Sequence, residues 1–335
     1  TIHRELFAPH IPVYVDCQGL GKLTDQKFFY KIAREIWRTL RNNGIDNLPM
    51  ITPKDISDDD PFYDFRETLD QFTSLIPDRR IILLIDEFEL IDQAIQDKQL
   101  NSLIVENLRH LFQHRHDLAV VLTGSYRLRK LSQEYWSALF GLGLTHNIGA
   151  LDESAARRLI TQPLVGQTVY SEGAVNRILQ LTACHPYFLQ MVCHNIVNVL
   201  NEHHTTYVSI SIVEDAAQET LISADGHLRY LFQTAGSPVF QSLVVFLASS
   251  LSSGGLNETL LLPGYEIEKF VEEHHLTIER YELEDILREL SARDLISIQG
   301  EMGKRNYGFK IDLVRQWVRR NFDLQSAIRL AQSSR

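Results

Sequence analysis

The sequence predicts an α/β fold that begins with a parallel sheet flanked by helices and continues into a largely helical region. Three apolar runs, at residues 11–16, 81–85 and 118–122, have the length and composition of buried strands. The stretches between them carry the period of amphipathic helices. Because strands that alternate with helices are joined by crossovers, we expect a parallel sheet with helices on both of its faces.

The first run and the pattern after it predict one strand followed by one crossover helix. The strand ends at Asp16, and the side chain of Thr24 can cap the helix that follows. Apolar residues then recur every four positions, at Phe28, Ile32, Ile36 and Leu40. The pair Asn43 and Gly44 is typical of a helix end.

The second and third runs end in polar side chains that a parallel sheet would bring to one edge. The second run is followed by Asp86 and Glu87, and the third run is followed by Thr123. In open α/β sheets the ligand site lies at the carboxyl ends of the strands. These three residues, together with Asp16 at the end of the first run, are therefore candidates for a shared site.

The remaining sequence predicts helices and, near its end, a β-hairpin. A short strand over residues 145–149 is expected to complete the sheet region, and helical patterns dominate from residue 151 onward. Two late strands, at 295–299 and 307–311, precede an amphipathic helix at 313–321, which is the order of a winged helix. We therefore predict regions 1–150, 151–235 and 236–325, and a C-terminal tail at 326–335.

Composition excludes several classes of function. The net charge of -10, with a pI near 5.7, would repel phosphate backbones and anionic membrane surfaces, so neither nucleic acid nor membrane is expected as a partner. Three cysteines in apolar or helical contexts favour reduced thiols and a cytoplasmic location. No apolar run approaches the ~18 residues that a membrane span needs.

An aliphatic strand that ends in Asp-Glu is the Walker B pattern, and its chemistry explains the residue types. A rigid strand end lets Asp86 hold Mg²⁺ through water, while Glu87 orients or deprotonates the attacking water. One strand later, Thr123 stands where a polar sensor of the γ-phosphate belongs if its strand adjoins the Walker B strand; the alternative for Thr123 is an ordinary strand-to-turn junction. The alternative is an ordinary core strand followed by two exposed acids at a helix start, where carboxylates also favour the helix dipole.

The order of these segments resembles that of STAND and related AAA-like ATPases. The segments that carry the resemblance are residues 81–88, 120–125, 151–163 and 182–190. Residues 184–190 are similar to the Gly-His-Pro-Tyr-x-Leu-Gln helix start of prokaryotic members, and residues 309–317 look like the strand-to-helix close of their winged helix. The resemblance implies a parallel-sheet P-loop NTPase core, an all-α lid and a winged-helix domain.

The same resemblance implies ATP or ADP and Mg²⁺ as ligands, with His185 and Pro186 beside the adenine. The glycine that precedes His-Pro in the family is represented here by Ala183 or Cys184. Many members have an arginine directly after the sensor strand, whereas this chain leaves Arg127 as a displaced candidate for that arginine. Arg127 is equally consistent with a surface position.

The chain contains no Gly-x-x-x-x-Gly-Lys-Ser/Thr, the loop that binds β- and γ-phosphates. The resemblance places that loop and its strand just upstream of Thr1. The full-length protein is then expected to be an ATPase whose activity this chain alone lacks.

Three functions fit these features. The first is a nucleotide-driven switch that self-associates on activation and acts through effector or sensor domains outside this chain. The second is a DNA-binding AAA-like ATPase of the replication or transposition type, although residues 281–290 would present an acidic recognition helix. The third is a degenerate scaffold that does not hydrolyse nucleotide.

Overall fold

The computed structural model describes residues 10–18, 23–125, 136–233, 237–251, 261–293, 295–301 and 304–333. The chain divides into two compact units, residues 1–146 and residues 147–335. Each unit has its own buried hydrophobic core. In the part of the chain that the structure describes, no helix combines the length and the apolar character that a bilayer span requires.

The first unit is the predicted alternation of strands and helices. Its elements are β1 (His10–Asp16), α1 (Asp25–Asn42), α2 (Pro61–Ser74), β2 (Arg80–Asp86), α3 (Glu89–Gln96), α4 (Leu103–His114), β3 (Leu118–Leu122) and α5 (Ser137–Phe140). The strands form a parallel sheet in the order β1-β2-β3. The register places Asp16 beside Asp86, so the polar strand ends share one edge.

Local sequence explains where the first helices begin and end. The side chain of Thr24 accepts a hydrogen bond from the backbone of Lys27 at the start of α1. Gly44 takes a positive φ of 83° just after the same helix, a conformation that glycine adopts without steric cost. At the start of α2, Asp60 caps the backbone N–H of Tyr63. The predicted start and end of the first crossover helix are confirmed.

In the described part of this unit, the helices cover one face of the sheet. Side chains of the covered face are fully buried, namely Ile11, Val13, Val15, Ile81, Leu83 and Ile85. On the opposite face Tyr14 is 56% exposed and Val121 is 45% exposed. The reason is topological. With the strands in the order β1-β2-β3, each right-handed crossover moves in the same direction and places its helices on the same face.

The predicted strand at residues 145–149 is absent from the structure. These residues are irregular, and Ile148 is 97% exposed. A strand needs a hydrogen-bonded neighbour, but among the described strands β3 pairs with β2 alone. The apolar residues of β3 are accordingly more exposed than those of β2.

The second unit begins with helices and a small parallel ribbon. Its first elements are α6 (Glu153–Thr161), β4 (Val169–Tyr170), α7 (Glu172–Thr182), α8 (Pro186–Glu202), β5 (Tyr207–Val208), α9 (Ile210–Ser223) and α10 (Asp225–Gln233). The side chains of Asp152, Ser171 and Ser209 cap α6, α7 and α9. The predicted helices from residue 151 onward are thus present. Strand β4, which pairs with β5, was not indicated by the sequence pattern.

The C-terminal part of the second unit contains a small antiparallel sheet among helices. Its elements are α11 (Pro238–Ser250), β6 (Leu262–Pro263), α12 (Gly264–Glu273), α13 (Arg280–Ala292), β7 (Ile296–Gln299), β8 (Asn306–Phe309), α14 (Asp312–Asn321) and α15 (Leu324–Ser333). The strand order is β6-β8-β7. Residues predicted as a tail mostly belong to α15, which packs on α11 and buries Ile328 and Ala331. These two apolar side chains, one helical turn apart, explain why the segment is a docked helix.

Candidate functional site

Asp86 lies at the end of β2 with both carboxylate oxygens held by hydroxyl groups. The hydroxyl of Thr123, just beyond β3, donates to Asp86 Oδ1 at 2.5 Å. The phenol of Tyr14, on β1, donates to Asp86 Oδ2 at 2.8 Å. Each strand of the sheet therefore supplies one member of this cluster. The sequence predicted Asp86 and Thr123 together, and the structure joins them by a direct hydrogen bond.

The two hydroxyl donors keep the Asp86 carboxylate ionised. The hydrogen bond from Thr123, followed by that from Tyr14, lowers the pKa of Asp86 below its ordinary value. The same bond to Asp86 raises the pKa of Tyr14 to about 12. Asp86 thus presents a charged oxygen ligand of the kind that Mg²⁺ prefers.

Glu87 follows directly, in a backbone conformation that is unusual for its residue type. Its φ is +55°, in the left-handed region that non-glycine residues rarely adopt. Its backbone N–H donates to Asp86 Oδ1 at 3.0 Å, and Gln18 Nε2 donates to Glu87 Oε1 at 3.2 Å. Burial, and then the nearby charge of Glu89, raise the pKa of Glu87, which makes it a better proton acceptor than an ordinary glutamate.

Backbone hydrogen bonds on both sides fix Thr123. Its N–H donates to the carbonyl of Ile85 at 2.9 Å, and its own carbonyl accepts from the N–H of Phe88 at 3.0 Å. These bonds tie the end of β3 to the turn that carries the two acids. The hydroxyl of Thr123 is therefore held against Asp86 by the sheet and not by a mobile loop.

The donor set fits a magnesium ion shared with a nucleotide. Within the described residues, no cluster of three or more His, Cys, Asp or Glu side chains could hold a metal ion by itself. Mg²⁺ does not require such a cage, because it commonly keeps several waters and binds one or two carboxylates plus substrate phosphates. Asp86 supplies one carboxylate of that kind, and the Thr123 hydroxyl orients it.

Sequence reasoning missed Tyr14, Gln18 and Glu89. Tyr14 stands two residues before Asp16, so the alternation of a strand places both on one face, and parallel register brings that face to Asp86. That signal was available in the sequence. Gln18 and Glu89 could not be identified in the same way, because both act from turns whose geometry is not periodic.

His185 and Pro186 lie in the second unit, at the turn between α7 and α8. Pro186 is the first residue of α8, and His185 precedes it as the cap. The two residues before them both have positive φ, 47° at Ala183 and 58° at Cys184. The carbonyl of Cys184 accepts from the N–H of Leu151 at 3.0 Å, which ties this turn to the start of the helical region. Arg127, the remaining candidate, lies outside the described residues.

The left-handed turn gives a stability prediction. An alanine in the left-handed conformation costs about 1–2 kcal/mol. Glycine removes this cost, but part of the gain is lost because glycine has more conformational freedom in the unfolded chain. Ala183→Gly should therefore stabilise the second unit by about 0.5–1 kcal/mol in denaturant unfolding. Ala224→Gly is the matched control, because Ala224 also ends a helix but has a φ of -91°. Stabilisation by both changes, or by neither, would show that the left-handed backbone at Ala183 does not cause the expected effect.

Comparison with known proteins identifies the fold. No protein-family model and no curated protein matches this sequence. Among solved structures it resembles the Walker-type ATPase PABY2304 of Pyrococcus abyssi, with 15% identity and a TM-score of 0.61 over 92% of this chain and 84% of that chain. It also resembles the Aeropyrum pernix ORC2 protein, solved as ADPNP–ADP complexes, with 10% identity and a TM-score of 0.63 over 99% of this chain and 81% of that chain.

These likenesses show that the chain has the fold of AAA-like P-loop ATPases, as the sequence predicted. At such low identity they show the fold alone. Neither likeness supports the expectation that nucleic acid is not a partner.

Proposed function

We propose that this chain is the regulatory module of a STAND-type ATPase, in which bound ATP and Mg²⁺ control self-association. The observation that carries the proposal is the Asp86 carboxylate, held between the hydroxyls of Tyr14 and Thr123 at the edge of a parallel sheet where the strands end. In this role Asp86 holds Mg²⁺ through water and Glu87 activates the attacking water. Thr123 senses the γ-phosphate from the adjacent strand.

The exposed face of the sheet supports the proposal that the full-length protein has one further strand, loop and helix. All-parallel sheets are normally covered on both faces, yet Tyr14 and Val121 are exposed here. A strand added at the edge of β3 that no described strand occupies, and then joined to β1, reverses the direction of the crossover and places its helix on the exposed face. Its loop would meet the site beside Thr123, at the point where the strand order reverses, which is where such sheets bind ligands. We propose that this additional strand-loop-helix segment carries the phosphate-binding loop.

The second unit supplies the proposed response to nucleotide. His185 and Pro186 are the proposed adenine contacts of a lid at residues 151–235, and Arg127 is a proposed phosphate contact. The order α11, β6, α12, α13, β7, β8, with β8 between the other two strands, supports a winged helix over residues 236–325. A change of nucleotide then moves the winged helix and exposes a surface for self-association in the cytoplasm, with output through domains outside this chain.

The full-length protein with Glu87→Gln tests the switch, because blocked hydrolysis traps the ATP state. The molar mass measured by light scattering should rise at least twofold with ATP and Mg²⁺ and should remain that of a monomer with ADP. The reason is that a closed homo-oligomer of two or more copies is the expected active form. A mass that does not depend on the nucleotide would refute the switch.

The DNA-binding alternative is tested on the same protein. The helix α13 that would enter the major groove carries an acidic face, in which Arg288 pairs with Glu284 and Asp285. Such a face repels phosphate, so duplex DNA should bind weakly in a gel-shift assay. Tight binding that weakens steeply with salt would favour the alternative over the switch.

A further inference from the structure

Helix α3, directly after the two site acids, carries two further acids that are buried. Glu89 is 7% exposed and Asp92 is 6% exposed, and they lie one helical turn apart on the same face. Charged residues are almost never buried to this degree without specific partners. Their partners therefore indicate what the pair does.

Both acids hold the chain that follows β3. Glu89 Oε1 accepts from the backbone N–H of Ser125 at 2.9 Å, and Asp92 Oδ1 accepts from the indole N–H of Trp136 at 2.8 Å. The Trp136 ring also packs edge-on against Phe88 at a centroid distance of 5.0 Å. Helix α3 thus makes hydrogen bonds to Ser125 and Trp136, the residues on either side of residues 126–135.

The second oxygen of Glu89 makes its burial costly. Glu89 Oε2 is buried and has no hydrogen-bond partner among the described residues. An unpaired buried carboxylate oxygen destabilises a fold, and a neutral side chain of similar shape would avoid that cost. Stability alone therefore does not account for a glutamate at this position, whereas the hydrogen bond to Ser125 does give it a task.

We propose that Glu89 is a positioning residue that holds Thr123 against Asp86, an inference that rests on the proposed ATPase function. The bond from Phe88 fixes the carbonyl of Thr123, and the bond to Glu89 fixes the N–H of Ser125. Gly124, the most flexible residue type, lies between these two anchors. Without Glu89 the backbone bonds of Thr123 to Ile85 and Phe88 remain, but the chain beyond Gly124 loses its anchor at Ser125, so the Thr123 hydroxyl should more often occupy positions away from the γ-phosphate.

Three variants of the full-length protein separate this role from a general effect on folding. Glu89→Ala removes the acceptor, Glu89→Asp withdraws the carboxylate from Ser125 by one methylene, and Glu89→Gln retains an acceptor of the same length. The first readout is hydrogen exchange of the Ser125 amide, which needs no turnover. We expect exchange to accelerate about tenfold or more in the Ala and Asp variants and to stay near the wild-type rate in the Gln variant.

The second readout is steady-state ATP hydrolysis. The Ala and Asp variants should lose about tenfold to a hundredfold in kcat with little change in KM, and the Gln variant should recover most of that loss. Unchanged Ser125 exchange in Glu89→Asp, or faster exchange with unchanged kcat, would overturn the positioning role. A wild-type protein without Glu87-dependent hydrolysis would refute the proposed function itself and this role with it, and the exchange data would still show whether Glu89 holds Ser125.

Discussion

Replacing Glu87 with glutamine should lower kcat for ATP hydrolysis by the full-length protein by at least about a hundredfold, the usual contribution of a general base. Glutamine keeps the shape of the side chain and an oxygen that can accept from Gln18, but it cannot take a proton from water. ATP should still bind, because the phosphate and metal ligands are unchanged. Single-turnover hydrolysis, measured beside equilibrium binding of ATP, separates the two effects.

Glycine at the same position should separate the cost of the left-handed backbone from the role of the Glu87 carboxylate. Glu87→Gly relieves a left-handed φ of 55° and should stabilise the first unit by about 1 kcal/mol while abolishing turnover. Lys98→Gly is the matched control, since Lys98 has a φ of 56° and is remote from the acids in sequence. It should stabilise the unit similarly without affecting turnover. No difference in ATP hydrolysis between the full-length protein and its Glu87→Gln variant would instead support the degenerate scaffold.

Asp86→Asn should have the second large effect, a loss of roughly a hundredfold or more in kcat/KM, because a metal ion supplies several kcal/mol to the transition state. The amide leaves one oxygen for Thr123 or Tyr14 but removes the charge that attracts Mg²⁺. The Mg²⁺ concentration for half-maximal hydrolysis should therefore rise. Titration of hydrolysis with Mg²⁺ at fixed ATP measures this shift.

Asp16→Asn is the matched control for that substitution. Asp16 pairs in register with Asp86 on the neighbouring strand, but its Oδ1 accepts from the backbone N–H of Gln18, a bond that asparagine can also make. The control should retain most of the activity. Equal losses in both variants would mean that the acidic edge acts through its total charge and not through a ligand at Asp86.

The sheet residues were the most predictable part of the site. A continuous apolar run fixes a buried strand, and parallel register then brings the strand ends together, which is why Asp86 and Thr123 were found from the sequence. Tyr14 follows from the same logic once the alternation of β1 is considered. The hydrogen bonds that connect these three residues show that the strand ends meet at one edge of the sheet.

The features that sequence reasoning missed depend on connectivity or on turns. Which face the helices cover is set by strand order and crossover handedness, and an apolar run gives no information on either. Glu89 resembles an exposed helix-start acid, and only the path of the chain near Ser125 shows that it is buried. The irregular residues 145–149 have suitable composition for a strand, but they pair with none of the described strands.

Binding of ATP to the hydrolysis-blocked Glu87→Gln full-length protein, with and without Mg²⁺, tests the central claim most directly. If Asp86 holds the metal on the triphosphate, Mg²⁺ should tighten binding by about tenfold or more, and Glu87→Gln combined with Asp86→Asn should lose that enhancement. The same enhancement by Mg²⁺ in both proteins would contradict the assignment of Asp86, and no ATP binding in either would contradict the ATPase itself.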